Sequence, residues 1–485
     1  MSKPLLTLFF ITLFLFTLIV CLPRIVIGNI PWWFDPGRDM LLSLGNLKKF
    51  TLIGPPTGIP GVFYGVWWIW ALSLSQLISL DPRVAAFLVA FLPYAILMPW
   101  FCKKLFNIKI AIILWTLFIC TFYGYATALW NVHPAPLVFL IVVYFLVKKF
   151  PKNVLLIGFL VGQAINFNVS FGSAIFFGAI AYLVILLLKN SKISLGKKIL
   201  LLTIFCAGTL VSFAPFLVFE ARHGFNQIKV IQNTLYQAVI GGKAVVSVKG
   251  LIKSQILFHF LFGPEKLFYL PKIISWLAIL GSFVYIFIFQ RLTTNDKRLL
   301  ILLATTLGSM LLLYFGWRNP VWEYHFIGYE TLLLLFCGFL AVKFEPFYYF
   351  LIIITLWAMF NRSLVLYREF TGPAFSVQDL KTKQHIVDLI YKDAQNNQFS
   401  FFAYNPAIYT WDYDYLFLAS QKKYQAKAYK EIVGFETIYL IIPETSTEIF
   451  QDFINYRTPA DKYITIKEWK IPDKTTILKR KKIGK

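Results

Sequence analysis

The chain has 485 residues, of which 58% are hydrophobic and 14% charged, with a formal net charge of +24 and a mean hydropathy of +0.67. Soluble domains carry about 25% charged residues, so this composition excludes a soluble globular protein and points to a polytopic membrane protein. The positive charge does not mark a nucleic-acid binder, because the lysines fall in short loops between hydrophobic runs, which is how membrane proteins set their orientation.

Leu5–Val20 lies in the first hydrophobic segment. No small-residue cleavage site follows it, and further spans do, so it reads as an uncleaved first helix. Trp32-Trp33 comes next, and then Phe34-Asp35-Pro36-Gly37-Arg38-Asp39. Hardly another acid occurs in the first 200 residues. An acidic cluster in so apolar a chain costs desolvation unless it faces water or has a function. Asp35 and Asp39 are four apart, so on a helix they share a face, with Arg38 beside them. An ionised Asp there can act as general base on a hydroxyl, or ligate a hard divalent cation. Asp35-Pro36 also reads as an Ncap–N1 pair opening a helix, which is compatible with either role.

Lysine-rich loops follow at Lys103-Lys104…Lys109, Lys148-Lys149…Lys152, Lys189…Lys198 and Arg291…Arg298. Between them lie poorly basic loops: Asn131–Pro136, Asn166–Phe171, Glu220–Pro271 and Trp317–Tyr324. The alternation places the first set in the cytoplasm and the second outside. It holds only if Val62–Leu80, although long enough to span, does not cross. That stretch, with Phe63, Tyr64, Trp67, Trp68 and Trp70, is therefore read as an external juxtamembrane or re-entrant helix. The rival is a spanning helix with the N-terminus outside. The spans expected are 5–27, 84–102, 110–129, 136–149, 153–167, 171–188, 199–219, 272–290, 299–316, 326–342 and 346–361. Cys21, Cys102, Cys120, Cys206 and Cys337 form no CxxC pair, so neither a disulfide nor a thiolate metal site is expected.

Beyond Arg368 the composition shifts. Asp379–Asn397 reads as an amphipathic helix with Leu380, Ile386, Leu389 and Ile390 as its apolar positions. Phe399–Tyr404 and Thr437–Ile442 read as short buried strands, Thr447–Tyr456 as a helix, Tyr463–Ile471 as a strand and Thr475–Leu478 as its partner. Lys479-Arg480-Lys481-Lys482 reads as a solvated or headgroup-touching tail. The expected fold is thus an α-helical polytopic membrane protein of about eleven transmembrane helices plus an external juxtamembrane helix (residues 1–367), with a small external α/β domain (368–485).

Phe34-Asp35-Pro36-Gly37-Arg38-Asp39, then Ile53-Gly54-Pro55-Pro56-Thr57-Gly58-Ile59-Pro60-Gly61 and an aromatic run, resembles the opening of the GT-C glycosyltransferase superfamily. More narrowly it resembles bacterial relatives of the protein O-mannosyltransferases and the aminoarabinose transferases of lipid A. Weaker likenesses lie in Pro215–Phe225 and in Trp322-Glu323-Tyr324-His325-Phe326. The resemblance implies inverting transfer of a sugar from a polyprenyl-phosphate donor at the outer face of the cell membrane. Asp35 would be the base, and external cations would hold the leaving phosphate: Arg38, Arg222, His223, Arg318 and His325. The acceptor would be a lipid, a glycan or a protein. The chain departs from the pattern at Pro36, where an acid is usual, and at Asn131-Val132-His133-Pro134, where a second acid is missing. Asp39, Glu220 and His133 are the supporting candidates. No cofactor is required, and a metal-free mechanism is simpler than a divalent cation.

Each candidate has a plainer reading. Arg318 can snorkel beside Trp317 and Trp322, paired with Glu323. Glu220, Arg222 and His223 can form a surface ion pair below a Pro215 kink. His133 can be a hydrogen-bonded structural histidine. Asn166 and Asn168 read as a polar turn rather than a sugar cavity. His259 and Glu265 fall in the long external loop. The rings of Tyr409–Tyr415 serve packing before sugar stacking. A transporter or flippase of lipid-linked sugars, or a polysaccharide polymerase or ligase, is the alternative function. The first of these usually carries charges at mid-membrane. A mere anchor for the outer domain would need one span only.

Overall fold

The computed structural model describes residues 3–191, 193–239, 258–316, 323–371, 379–395, 397–406, 409–431 and 434–483. Among these, eight helices are long and apolar enough to cross a membrane: Thr7–Ile27, Pro82–Leu105, Val169–Lys189, Leu195–Ser212, Lys272–Phe289, Thr294–Phe315, Tyr324–Lys343 and Glu345–Glu369. The chain is a multi-pass helical membrane protein. The expected spans 110–129, 136–149 and 153–167 fall on shorter helices: Ile108–Thr121, Pro134–Tyr144 with its π-helical extension Phe145–Lys149, and Val154–Phe167. A 14-residue helix is about 21 Å long, against about 30 Å of hydrocarbon. Almost every side chain of Ile108–Thr121 is buried, so protein rather than lipid surrounds it. The expected span 199–219 breaks at Phe213, where Ala214–Arg222 begins with Pro215 in its first turn.

Close approach tightens this bundle. Gly158 and Gly162 face the backbone of Phe205 and the side chain of Ser212, and Gly208 faces the Leu155 carbonyl. Small residues let helix backbones meet where apolar burial cannot drive association. Asn166 ties the same helices together, donating to the carbonyls of Gly162 at 3.0 Å and Ser212 at 3.2 Å.

The first two helices after the opening one are the short ones that matter for function. Phe34–Lys48 has 15 residues, and Trp67–Ile78 has 12. The second is about 18 Å long and does not reach across a bilayer. Pro82–Leu105 then runs from the end where Tyr415 of the outer domain donates to the Leu80 carbonyl at 2.6 Å to the end carrying Lys103 and Lys104. The Lys103-Lys104 end of this helix is thus the end away from the C-terminal domain.

The last membrane helix continues to Thr371. Beyond it stands a five-stranded sheet in the order β2-β1-β3-β5-β4. Its strands are β1 Phe399–Ala403, β2 Ala428–Tyr429, β3 Thr437–Ile442, β4 Tyr463–Lys470 and β5 Thr476–Lys482. β1 pairs parallel with β2 and β3; β5 pairs antiparallel with β3 and β4. Helices Leu380–Ala394 and Trp411–Tyr424 cover one face, through Ile386, Phe399, Phe417 and Tyr439. Thr447–Arg457 covers the other, through Phe402, Leu440 and Ile454. Covering on both faces explains why β1 and β3 are continuous apolar runs. The basic segment Lys479–Lys482 is not a free tail. It belongs to β5, and Arg480 is buried, donating to Thr458 Oγ1 (3.1 Å), Thr458 O (2.8 Å), Tyr463 O (2.9 Å) and Thr465 Oγ1 (2.6 Å). Helix Trp411–Tyr424, whose aromatic opening reads as packing before sugar stacking, also meets the membrane region, where Trp32 Nε1 donates to the Asp412 carbonyl.

Candidate active site

Helix Phe34–Lys48 starts after Trp33, which is the extended N-cap residue; no side chain caps it. Asp35 therefore stands inside the first turn, not at the cap position the Asp-Pro pair suggested. Its carboxylate has a stronger partner one turn on, the Arg38 guanidinium, with Nη1 2.7 Å from Oδ1. Arg38 also reaches Asp39, with Nε and Nη2 each 2.8 Å from its Oδ1. Two indoles complete the set. Trp33 Nε1 donates to Asp35 Oδ2 at 3.2 Å, and Trp68 Nε1, from the short helix Trp67–Ile78, donates to Asp39 Oδ2 at 3.0 Å. One guanidinium thus sits between two carboxylates, a cluster of net charge −1 when both are ionised.

The two acids are not equivalent. Asp39 is fully buried, whereas the Asp35 side chain keeps 16% of its surface. Complete burial pushes the Asp39 carboxyl up to about 7, against the pull of Arg38. Tyr64 lies within electrostatic reach of all three charges, and burial pushes its phenol up, so it stays a protonated donor. Tyr324 faces Asp35. An aromatic wall runs away from the cluster: Trp33 meets Trp130 edge-on at 5.2 Å, and Trp130 meets His133 at 5.4 Å and Tyr324 at 5.8 Å.

The outer domain closes the other side. The Arg38 guanidinium carbon is 5.9 Å from the centre of the Trp411 ring, which stacks on Tyr409 at 4.2 Å. Trp32 Nε1 donates to the Asp412 carbonyl at 3.2 Å. Gly37 makes this approach possible, since a Cβ there would run into the backbone of Trp411 and Asp412. Beside it Lys383 forms a buried ion pair with Asp412. An antiparallel bridge between Pro31 and Asp379 stitches the entrance to the helix to the outer domain.

The remaining candidates are distributed around this centre. His133 is buried, its Nδ1 3.3 Å from Ala128 O and its carbonyl accepting from Tyr94 Oη at 2.6 Å. Burial pushes its imidazole down to about 4, so it is neutral at pH 7. It shares the aromatic wall but does not bond to the carboxylates. Glu220 is buried and accepts from the Ile228 amide at 3.1 Å, while Gln227 Oε1 accepts from the Phe63 amide at 2.9 Å. That turn clamps the loop bearing Tyr64. Arg222 and His223 are exposed at the end of Ala214–Arg222. The His223 ring stacks on Phe219 at 3.9 Å. His325 lies in the turn Glu323–Phe326, its carbonyl accepting from Tyr314 Oη and its ring 4.2 Å from Tyr324. Arg318 lies outside the described residues. Arg38, read from sequence as a phosphate ligand, has Nε, Nη1 and Nη2 engaged by the two aspartates. Among the described residues no three His, Cys, Asp or Glu side chains come together as a metal site would require.

Sequence reasoning missed Glu330. It opens the helix Tyr329–Lys343, accepts from the Gly328 amide at 3.2 Å and hydrogen-bonds Tyr125, whose ring is 5.0 Å from His133. The signal available was a lone Glu in the first turn of an apolar run. Trp130 and Tyr64 carried no motif.

Fold and site define a polytopic helical membrane protein whose C-terminal domain is built onto a short charged helix. No protein-family model matches the chain, and no curated protein sequence does. The fold is similar to that of the crystal structure of ArnT from Cupriavidus metallidurans bound to undecaprenyl phosphate, with 12% sequence identity, 99% of this chain and 98% of that chain aligned, and a TM-score of 0.46.

Proposed function

We propose that this chain is an integral-membrane glycosyltransferase that moves a sugar from a polyprenyl-phosphate donor to an acceptor hydroxyl at the outer face of the cell membrane. The observation that carries the reading is the unequal pair of acids on a helix that does not span. Asp35 keeps access to the aromatic mouth, while Asp39 is sealed beneath it. The resemblance of the first-loop motif to the GT-C opening points the same way.

In this reaction the acceptor oxygen attacks the anomeric carbon from the face opposite the lipid phosphate. The new C–O bond forms as the bond to the phosphate oxygen breaks, and the phosphate leaves with the electron pair. Attack from that face inverts the anomeric centre, and Asp35 takes the hydroxyl proton. Arg38 and the Trp33 indole fix the carboxylate in place, which saves the cost of orienting it at each turnover. The leaving group needs positive charge rather than an acid. Arg222 and His223, exposed at the end of Ala214–Arg222, and His325, in the turn with Tyr324, are the described candidates; Arg318, seven residues before His325 in the chain, is the other. The acceptor is a lipid, glycan or protein hydroxyl.

Asp35→Asn tests the assignment. Membranes carrying the variant, offered radiolabelled polyprenyl-phosphate sugars, should lose on the order of 100- to 10,000-fold in transfer with expression and insertion intact. Near-normal turnover would sink the role of Asp35. Sidedness is tested by cysteine labelling: Asp81→Cys should react from outside and Asn107→Cys from the cytoplasm.

A further inference from the structure

A groove of about 730 Å³ lies between the segment 258–271 and the last membrane helix, and shares no lining residue with the Asp35 cluster. Its apolar side is formed by Trp357, Leu364 and Val365, all exposed where the helix would face lipid. Its polar residues are Glu265, Tyr269, Asn361 and Arg368, of which Glu265 and Arg368 carry charge. Arg368 lies one position before the end of the span Glu345–Glu369, and Glu265 a few residues before the start of the span Lys272–Phe289. Both charges therefore stand at the level of the membrane surface, with the apolar wall running below them along the helix.

The charges are of opposite sign, line one groove, and are not paired with each other or with any other described residue. Opposite charges at this level, next to apolar surface, would ordinarily close into a direct ion pair. Here the groove holds them apart. A head group that spans them must carry a negative and a positive group, the positive one able to donate hydrogen bonds to a carboxylate. The volume lies in the range of clefts that take small molecules, and the groove is open along one side.

We propose that this groove binds a zwitterionic aminophospholipid of the ethanolamine type. Arg368 engages the phosphate, Glu265 the primary ammonium, and an acyl chain lies along Leu364 and Val365. The wall between groove and mouth is the segment 258–271 itself. On its other side Phe260 packs against Tyr329 at 4.6 Å and His259 against Phe326 at 4.5 Å. The bound lipid thus braces the segment that supports Glu330 and the turn bearing Tyr324.

The test is lipid retention by the purified full chain, read by native mass spectrometry. Dioleoylphosphatidylethanolamine, -choline and -glycerol are titrated separately into the detergent-solubilised protein. The wild type should hold one phosphatidylethanolamine about tenfold more tightly than either of the others, since a charge-assisted hydrogen bond lost is about tenfold in affinity. Glu265→Gln and Arg368→Gln should each erase that preference. Leu364→Trp, which fills the groove without touching a charge, should release the lipid and guards against a mere folding defect in the charge variants. Equal retention of the three lipids, a preference for phosphatidylglycerol, or unchanged preference in Leu364→Trp would each overturn the proposal. None of these readings depends on sugar transfer, so they stand apart from the fate of Asp35 as a base.

Discussion

Two charged groups lie on the seam between helix Phe34–Lys48 and the outer domain, and they are built differently. Lys383–Asp412 is a closed pair, one cation to one anion, with 7% and 3% of their side-chain surfaces exposed. Asp35–Arg38–Asp39 has one cation for two anions, and one of those anions reaches the mouth. A closed pair sealed from solvent is out of a substrate's reach and is expensive to break. A cluster with an excess acid is costly to bury and retains a carboxylate for chemistry. The difference separates a part that holds the domains together from a part that acts.

That separation can be broken by experiment. The largest effect belongs to Asp35→Asn, which should remove transfer by the factor given above while leaving the thermal unfolding midpoint in detergent nearly unchanged. Lys383→Met should do the reverse. It leaves the Asp412 carboxylate buried and uncompensated, a cost of about 3–5 kcal/mol, visible as protease release of the outer domain. The double variant Lys383→Met/Asp412→Leu should recover most of that loss, because a well-packed apolar pair often replaces a buried ion pair without cost. If Lys383→Met instead leaves the seam intact, the distinction fails.

Gly37→Ala is the next smaller. Its methyl group meets the Trp411–Asp412 backbone, and overpacking of this kind costs about 1–3 kcal/mol. Both stability and turnover should fall, since the same shift moves Trp411 away from Arg38. A further effect is one of pH. Asp39 holds its proton to about 7 in the folded chain, against about 4 unfolded. Between those values the folded state binds more protons, so its share of stability falls as pH rises. Asp39→Asn should flatten the wild-type decline in unfolding midpoint over that window. A slope unchanged by the substitution would show that Asp39 stays ionised beside Arg38.

Much of this arrangement was legible from residue types alone. Charge alternation between loops was enough to deny Val62–Leu80 a crossing, and the helix there is too short to make one. The spacing of Asp35, Arg38 and Asp39 gave their shared face. What was not legible is what arrives from far along the chain. Trp68 and Trp411 look like any interfacial aromatic in sequence, and Glu330 like any helix-opening acid. Their positions follow from tertiary contacts that no local pattern encodes. Arg38 was misjudged for the same kind of reason. A free arginine at a membrane surface suggests phosphate, but two adjacent carboxylates engage the Arg38 guanidinium. Lys479–Lys482 looked like a solvated tail because its alternation is basic on both faces. The sheet accepts it since neutral oxygens around Arg480 satisfy the guanidinium.

The bond from Trp32 to the Asp412 carbonyl joins positions 380 apart in the chain. During synthesis the Phe34–Lys48 helix leaves the ribosome with its Gly37 face bare, and it stays bare until every membrane helix has been inserted. Contacts of such sequence separation form late and slowly. β5, which fills the place between β3 and β4, follows both in chain order, so the sheet is incomplete until that strand arrives. The cover that Trp411 places over Arg38 is therefore completed only after the C-terminal domain has been made, and a chain stalled before it would carry its charged cluster open on that side.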